Sequence, residues 1–187
     1  LSYQQKRAGS QTGMILALVF LFVFLFLAAL YESWTVPLAV LLSLPVAVLG
    51  AYLGTWALGL ENDIYFQIGL VMLMGMAAKN GILVVEFAKE RNDGGMSALE
   101  AAKHAIRLRF RPIVMTSTAF ILGMLPMVIA SGPGSAARRS IGTGVFFGMI
   151  LAVVAGVMLV AFFFVVIQSA MARHKNRKNN GKAIKTD

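Results

Sequence analysis

Five apolar stretches, each long enough to cross a lipid bilayer, dominate this chain. They cover about residues 13–30, 36–58, 64–87, 112–130 and 141–168, and a spanning helix needs roughly 20 apolar residues. Only 13% of the 187 residues are charged, whereas charged residues make up about 25% of an average soluble domain. The sequence therefore predicts an all-α membrane protein with five transmembrane helices that pack on one another in lipid.

The positions of the basic residues predict how these helices are oriented. Of seventeen lysines and arginines, six lie in residues 89–111 and six in residues 173–185. Five spans place these two segments on the same side, which the positive-inside rule makes cytoplasmic. We therefore expect a cytoplasmic C-terminus and an N-terminus on the opposite, outer side of the membrane. The net charge of +9, distributed in this way, favours contact with lipids and not with nucleic acid.

Local signals predict where several helices begin and end. Asn62 or Asp63 is suited to cap the third span, and Ser97 with Glu100 matches a capping box. A short cytoplasmic amphipathic helix should therefore start after Ser97. The chain beyond Gln168 is basic and rich in asparagine, and it predicts a disordered cytoplasmic tail over residues 169–187.

The fifth span carries small residues at every fourth position. They are Gly144, Gly148, Ala152 and Gly156, and a row of this kind lets another helix approach closely. Cysteine is absent, so disulfides and thiolate metal sites are excluded, and we expect no metal site.

Lys79 lies inside the third apolar stretch, and Asn80 follows it directly. A charge at the centre of a bilayer costs about 2.5–3.5 kcal/mol on insertion scales. The end of the stretch at Phe87 is roughly 12 Å away along the helix, too far for a relaxed lysine to reach the interface. All eight acidic residues lie at the ends of apolar stretches or outside them. We expect the partner carboxylate to come from other polypeptide, and such paired groups commonly mark proton or ion paths.

A helical wheel places Arg109 and Thr116 on one face, roughly 10 Å apart along the axis. It also separates Arg109 from the solvated face that carries Lys103. Other interpretations remain open: Arg109 as an interfacial anchor, a bend at Pro112, or the hydroxyls of Thr116 and Ser117 bonded to the carbonyls four residues back.

Four motifs resemble those of resistance–nodulation–division (RND) multidrug efflux pumps. Residues 77–89 (AAKNGILVVEFAK) resemble their tenth transmembrane helix, 27–34 (LAALYESW) the end of the eighth, 107–117 (RLRFRPIVMTS) the start of the eleventh, and 142–145 (GTGV) the start of the twelfth. The likeness covers about residues 2–167, and Lys79 followed by Asn80 resembles the hydrophobe/amphiphile branch. It implies a C-terminal piece of a larger subunit, helices eight to twelve.

The resemblance implies a proton-driven antiporter, which is a secondary active transporter and not an enzyme. Its energy source would be the proton gradient, with no cofactor. It would work as a homotrimer in the bacterial inner membrane, with a periplasmic adaptor and an outer-membrane channel. Residues 1–12 would end the periplasmic porter region, and residues 13–168 would form the transmembrane domain.

The resemblance also implies roles for individual residues. In that family the tenth-helix lysine pairs with two aspartates on the fourth helix, which this chain lacks. By motif, Lys79, Arg109 and Thr116 correspond to the proton relay, with Asn80 as a further candidate. Two alternatives stay open: another RND-superfamily transporter for protein export, lipid or metal efflux, and a free-standing five-helix membrane scaffold whose basic tail binds anionic lipid.

Overall fold

The computed structural model describes residues 2–31 and 36–183, and within these ranges the secondary structure is helical, without strands. The elements are α1 (Ser2–Tyr31), α2 (Val36–Ala57), α3 (Ile64–Asp93), α4 (Ala98–Val128), α5 (Ser135–Leu151), a π-turn (Ala152–Gly156) and α6 (Val157–Ala183). The expected all-α fold is confirmed. The end of the 27–34 motif and residues 184–187 lie outside the described ranges.

Two of the helix starts follow directly from the capping signals in the sequence. The Asp63 carboxylate accepts a hydrogen bond from the backbone N–H of Phe66 at 2.7 Å, so Asp63 is the N-cap of α3. Ser97 caps α4 in the same way, accepting from the N–H of Glu100 at 3.3 Å. Both side chains satisfy N–H groups that have no partner within the helix.

The amphipathic segment predicted as a short cytoplasmic helix forms the first part of α4. Its helix continues unbroken through Pro112 as far as Val128. At 1.5 Å per residue, its 31 residues extend about 46 Å, which exceeds the roughly 30 Å hydrocarbon core of a bilayer. The first turns of α4 therefore project beyond the apolar layer, and this explains their polar composition.

The predicted fifth span is the long rod formed by α5, the π-turn and α6. The rod starts at Ser135 and continues as helix to Ala183, so the structure has helix over residues 169–183, where the sequence predicts a disordered tail. The composition of this segment explains the helix. Residues 170–178 contain no proline, and they include alanine, methionine, arginine and lysine, which favour helix.

Close backbone contacts at glycine place α5 in the middle of the bundle. A Cβ added to Gly144 would lie 2.8 Å from the ring of Phe66 on α3, and one added to Gly148 would lie 3.0 Å from the carbonyl oxygen of Ala47 on α2. On α2, a Cβ at Gly50 would lie 2.7 Å from the Cβ of Leu151. The close helix approach predicted from the row of small residues is therefore present.

Four helical segments of the described ranges are long and apolar enough to cross a membrane: Pro37–Ala57, Ile64–Asp93, Ala98–Val128 and Ser135–Ala170. In α1, a shorter apolar stretch covers Ala17–Ala29. Large apolar side chains such as Phe22 and Trp56 lie exposed on the outside of the bundle, as expected for surfaces that contact lipid or further helices. The chain is a multi-pass membrane protein.

Candidate functional site

Lys79 lies in the middle of α3, on the side that faces away from the other helices. It is exposed, and so are Ile68, Met72, Gly75 and Glu86 at helical spacing on the same side. A Cβ added to Gly75 would meet nothing within 4 Å. Among the described residues, Lys79 has no ion pair. Its ammonium group is therefore available to a partner that packs on this outer face.

Asn80, the next residue, points into the bundle. Its Nδ2 donates a hydrogen bond of 3.1 Å to the Oγ of Ser117 on α4. Asn80 is 8% exposed and Ser117 is 2% exposed, so the bond is buried and joins two helices. One interpretation of the sequence had the Ser117 hydroxyl bonded within its own helix, and the contact with Asn80 was not predicted. An asparagine inside an apolar run was nevertheless a signal that it needed a partner.

Thr116 lies at the exposed surface of α4. Its hydroxyl donates to the carbonyl oxygens of Pro112 and Ile113, at 3.1 Å in each case. This is the local bond that one interpretation of the sequence expected for a membrane-embedded threonine. The hydroxyl oxygen keeps its lone pairs, so it can still accept a hydrogen bond from a group on the outer face.

Arg109 is half-buried between α3 and α4. Its guanidinium carbon lies 3.6 Å from the centroid of the Phe87 ring, a distance at which a cation is attracted to the face of an aromatic ring. The Nε of Arg109 is buried without a hydrogen-bond partner. Arg107 and Arg111, by contrast, are exposed, so α4 holds Arg109 apart from its solvated neighbours, as the helical wheel predicts.

The contacts between α3 and α4 bring Lys79 and Thr116 to the same side of the helix pair. Asn80 contacts Ser117, whereas Phe87 contacts Arg109, so the two helices are antiparallel. Lys79 directly precedes Asn80 on α3, and Thr116 directly precedes Ser117 on α4. Consecutive residues of an α-helix are rotated by about 100° around its axis. Because antiparallel helices turn in opposite senses when viewed from one end, both rotations lead to the same outer side.

A small cavity lies beside Asn80, within the bundle. It is lined by Ser43, Ala77, Asn80, Gly81, Ala152, Gly156, Val157 and Val160. Its volume of about 10 Å³ is at the lower limit for holding one water molecule. The π-turn contributes two of these residues, Ala152 and Gly156, and π-turns within α-helices are frequent at functional sites.

The electrostatics of this region favour an anion on the outer face. Lys79 is a cation at membrane depth without an ion pair in the described part of the chain, and Arg109 adds a second positive charge two turns along α4 from Thr116. The described residues contain no group of three or more His, Asp or Glu side chains that could hold a metal ion. Lys79 therefore gives the outer face a positive charge that can attract an anionic group.

Comparison with known proteins identifies the family. Residues 1–168 match the sequence profile of the AcrB/AcrD/AcrF family. The toluene efflux pump membrane transporter TtgB of Pseudomonas putida is 50% identical over 179 residues, covering 96% of this chain, and the multidrug resistance protein MdtF of Escherichia coli is 49% identical over 176 residues, covering 94%. The chain spans about 17% of the length of either relative. It belongs to the AcrB/AcrD/AcrF family of RND efflux transporters.

Proposed function

We propose that this chain supplies the C-terminal half of the proton-relay membrane domain in a proton-driven multidrug efflux transporter. The observation that carries the proposal is Lys79, an intramembrane cation that has no ion pair among the described residues and lies on an open helix face beside Thr116. A charge in this position is costly unless it is paired. The presence of such a charge in a chain of an efflux-transporter family supports a role in energy coupling.

The partner on this proposal is a carboxylate from the rest of the transporter, namely the aspartate pair on the fourth helix that the family resemblance implies. Gly75 on α3 and Gly123 on α4 both face open space, since an added Cβ would meet nothing within 4 Å. They leave room for a further helix to approach the outer face closely. Such a helix would bring its carboxylates within reach of Lys79.

The proposed coupling step is electrostatic. While the carboxylate is ionised, it attracts Lys79 and holds α3 against the carboxylate helix. A proton taken up from the periplasm neutralises the carboxylate and removes this attraction, because only the charged form pairs with an ammonium group. Lys79 then moves away, and the movement of α3 and α4 changes the state of the drug-transporting domains.

Arg109 and Thr116 complete the relay in this proposal. Arg109 is held over Phe87 and keeps a fixed positive charge near the path, which disfavours a second mobile cation. The Thr116 hydroxyl lies on the same outer side as Lys79 and can accept a hydrogen bond from the ammonium group once the carboxylate is neutral. Asn80 holds a buried position between the helices instead of contacting the proton.

Membership of this family also suggests how the whole transporter is assembled. We propose a homotrimer in the bacterial inner membrane, with its C-terminus in the cytoplasm, that works with a periplasmic adaptor and an outer-membrane channel. The clustering of cations in residues 89–111 and 173–185 supports this orientation. The names of the relatives, a toluene efflux pump and a multidrug resistance protein, support apolar and amphiphilic molecules as the substrates.

Replacement of Lys79 in a full-length transporter that contains this chain tests the proposal. Lys79→Met removes the charge and keeps an unbranched side chain, and we expect cells that express it to lose drug resistance. Lys103→Met is the matched control, because Lys103 is also an exposed lysine but lies near the start of α4, outside the relay. Resistance at the wild-type level in Lys79→Met cells, with equal expression, would rule out a relay role for Lys79.

A further inference from the structure

We propose that Asn80 and Ser117 are a positioning pair, which fixes the rotation and register of α3 against α4 and so keeps Lys79 beside Thr116. The inference rests on the proposed function, because it assigns a task to residues that lie behind the relay. Neither side chain touches the proton path. Asn80 acts by orienting Lys79, and Ser117 acts by orienting Thr116.

The first support is the kind of hydrogen bond that these residues form. The bond runs from side chain to side chain, between two helices, at 3.1 Å. Two other buried hydroxyls bond within their own helix: Ser43 donates to the carbonyl oxygen of Val40 at 2.6 Å, and Thr55 donates to that of Ala51 at 3.0 Å. Bonds of that kind leave a helix free to rotate, whereas the bond between Asn80 and Ser117 is lost if either helix turns.

The second support is the medium in which the helices pack. Lipid tails are as apolar as the interior of the bundle, so burial of apolar side chains does little to choose which face of a transmembrane helix points inward. An asparagine amide that turns toward lipid without a partner loses much more. The hydrogen bond between Asn80 and Ser117 therefore adds a polar restraint on the rotation of α3 to the close contacts that Gly69 and Gly81 make with neighbouring helices.

The third support is the cavity on the inner side of α3. Asn80 and Gly81 both line it, together with small residues of the π-turn, Ala152 and Gly156. The gap leaves the Asn80 amide without a close packing partner on this side. Its placement therefore depends more on the hydrogen bond to Ser117.

The geometry links this restraint to the relay. Lys79 and Thr116 each lie about 100° around their helix from the buried pair, so both are presented outward only while Asn80 and Ser117 face one another. A slip of one residue along α3 would turn Lys79 by the same angle and shift it by about 1.5 Å. A shift of that size at a charged site is enough to lower a coupled rate strongly.

The test compares variants of a full-length transporter in proteoliposomes, with Ser117→Thr and Ser117→Val as a matched pair. Threonine and valine have the same shape, but only threonine keeps the hydroxyl that accepts from Asn80. We expect Ser117→Val to lower the maximal rate of proton-driven efflux by about 3- to 10-fold, the scale of one hydrogen bond. Ser117→Thr should stay within about twofold of wild type, and the substrate concentration for half-maximal efflux should be unchanged in both.

A second comparison tests whether the two residues act as a unit. Asn80→Ala and Ser117→Ala should each lower the maximal rate, and the double variant should be no slower than the slower single variant, because the interaction can be lost only once. Ser43→Ala is the control, since it also deletes a buried serine hydroxyl but removes only a bond within α2. We expect it to keep the wild-type rate.

Each outcome decides one claim. The positioning pair would be overturned by equal maximal rates for Ser117→Thr and Ser117→Val. It would also be overturned if the rate loss in the double variant were the product of the two single losses. If Lys79→Met is inactive in the same preparation, the proposed function stands even when the positioning pair is overturned. If Lys79→Met transports at the wild-type rate, the relay itself is absent and the positioning pair is overturned with it.

Discussion

Replacement of Gly50 by alanine should destabilise the packing of α2 against α5. The Cβ of the new alanine would lie 2.7 Å from the Cβ of Leu151, 3.0 Å from the carbonyl oxygen of Phe147 and 3.2 Å from the Cα of Gly148. None of these atoms is the end of a flexible side chain, so rotation of a neighbour cannot relieve the contact. The two helices must move apart.

The expected cost follows from these distances. Carbon atoms attract best at about 3.5–4.0 Å, so the closest contact must open by roughly 0.8 Å. Overpacking of this kind costs about 1–3 kcal/mol, and the better helix propensity of alanine returns about 0.8–1.0 kcal/mol. The free energy of unfolding should therefore fall by up to about 2 kcal/mol, which is an up to roughly 30-fold lower ratio of folded to unfolded chain.

SDS titration of the 187-residue chain in mixed micelles, followed by tryptophan fluorescence, measures this change. Gly123→Ala is the matched control, because a Cβ at Gly123 would meet nothing within 4 Å. In Gly123→Ala only the better helix propensity of alanine changes the free energy of unfolding. This control should therefore be as stable as the wild type or up to about 1 kcal/mol more stable. Equal unfolding midpoints for Gly50→Ala and Gly123→Ala would refute the argument that α2 and α5 are in backbone contact.

Two further predictions concern a helix cap and the relay arginine. Asp63→Ala should lower the free energy of unfolding by about 1 kcal/mol, because the bond to the N–H of Phe66 is lost, while Asn62→Ala, which removes no cap, should be neutral in the same titration. Phe87→Leu should lower the proton-driven efflux rate by roughly 2- to 5-fold, since the guanidinium of Arg109 loses an attraction of about 0.5–1 kcal/mol. Phe87→Tyr keeps a ring and should keep the rate; equal rates for the leucine and tyrosine variants would show that the ring face does not position Arg109.

Local features of this fold were predictable because they depend on neighbours in sequence. The helix caps at Asp63 and Ser97 need only the residues three positions onward, and the spans follow from runs of apolar residues. The lack of an ion pair at Lys79 was also predictable, because all eight acidic residues lie at the ends of apolar runs or outside them. The close contact at Gly148 followed from four-residue spacing.

Features that depend on pairing between helices were not predictable. The bond from Asn80 to Ser117 and the stacking of Arg109 on Phe87 join residues that are 37 and 22 positions apart, and their partners are set by the register of two helices. Hydropathy does not determine that register, because the outer and inner faces of a helix in lipid are similarly apolar. A bend at Pro112 was left open by the sequence. The helix of α4 continues through this residue, because neighbouring helices in a bundle support a helix around proline.

Proton counterflow in proteoliposomes shows directly whether Lys79 couples proton movement to efflux. The measurement records proton release that depends on added drug, under an imposed pH gradient, for the full-length transporter and its Lys79→Met variant. We expect the variant still to bind drug but to lose drug-dependent proton flux by at least about tenfold, the effect of removing a charge partner worth about 1.4 kcal/mol or more. Wild-type proton flux in the Lys79→Met variant would rule out a coupling role for Lys79.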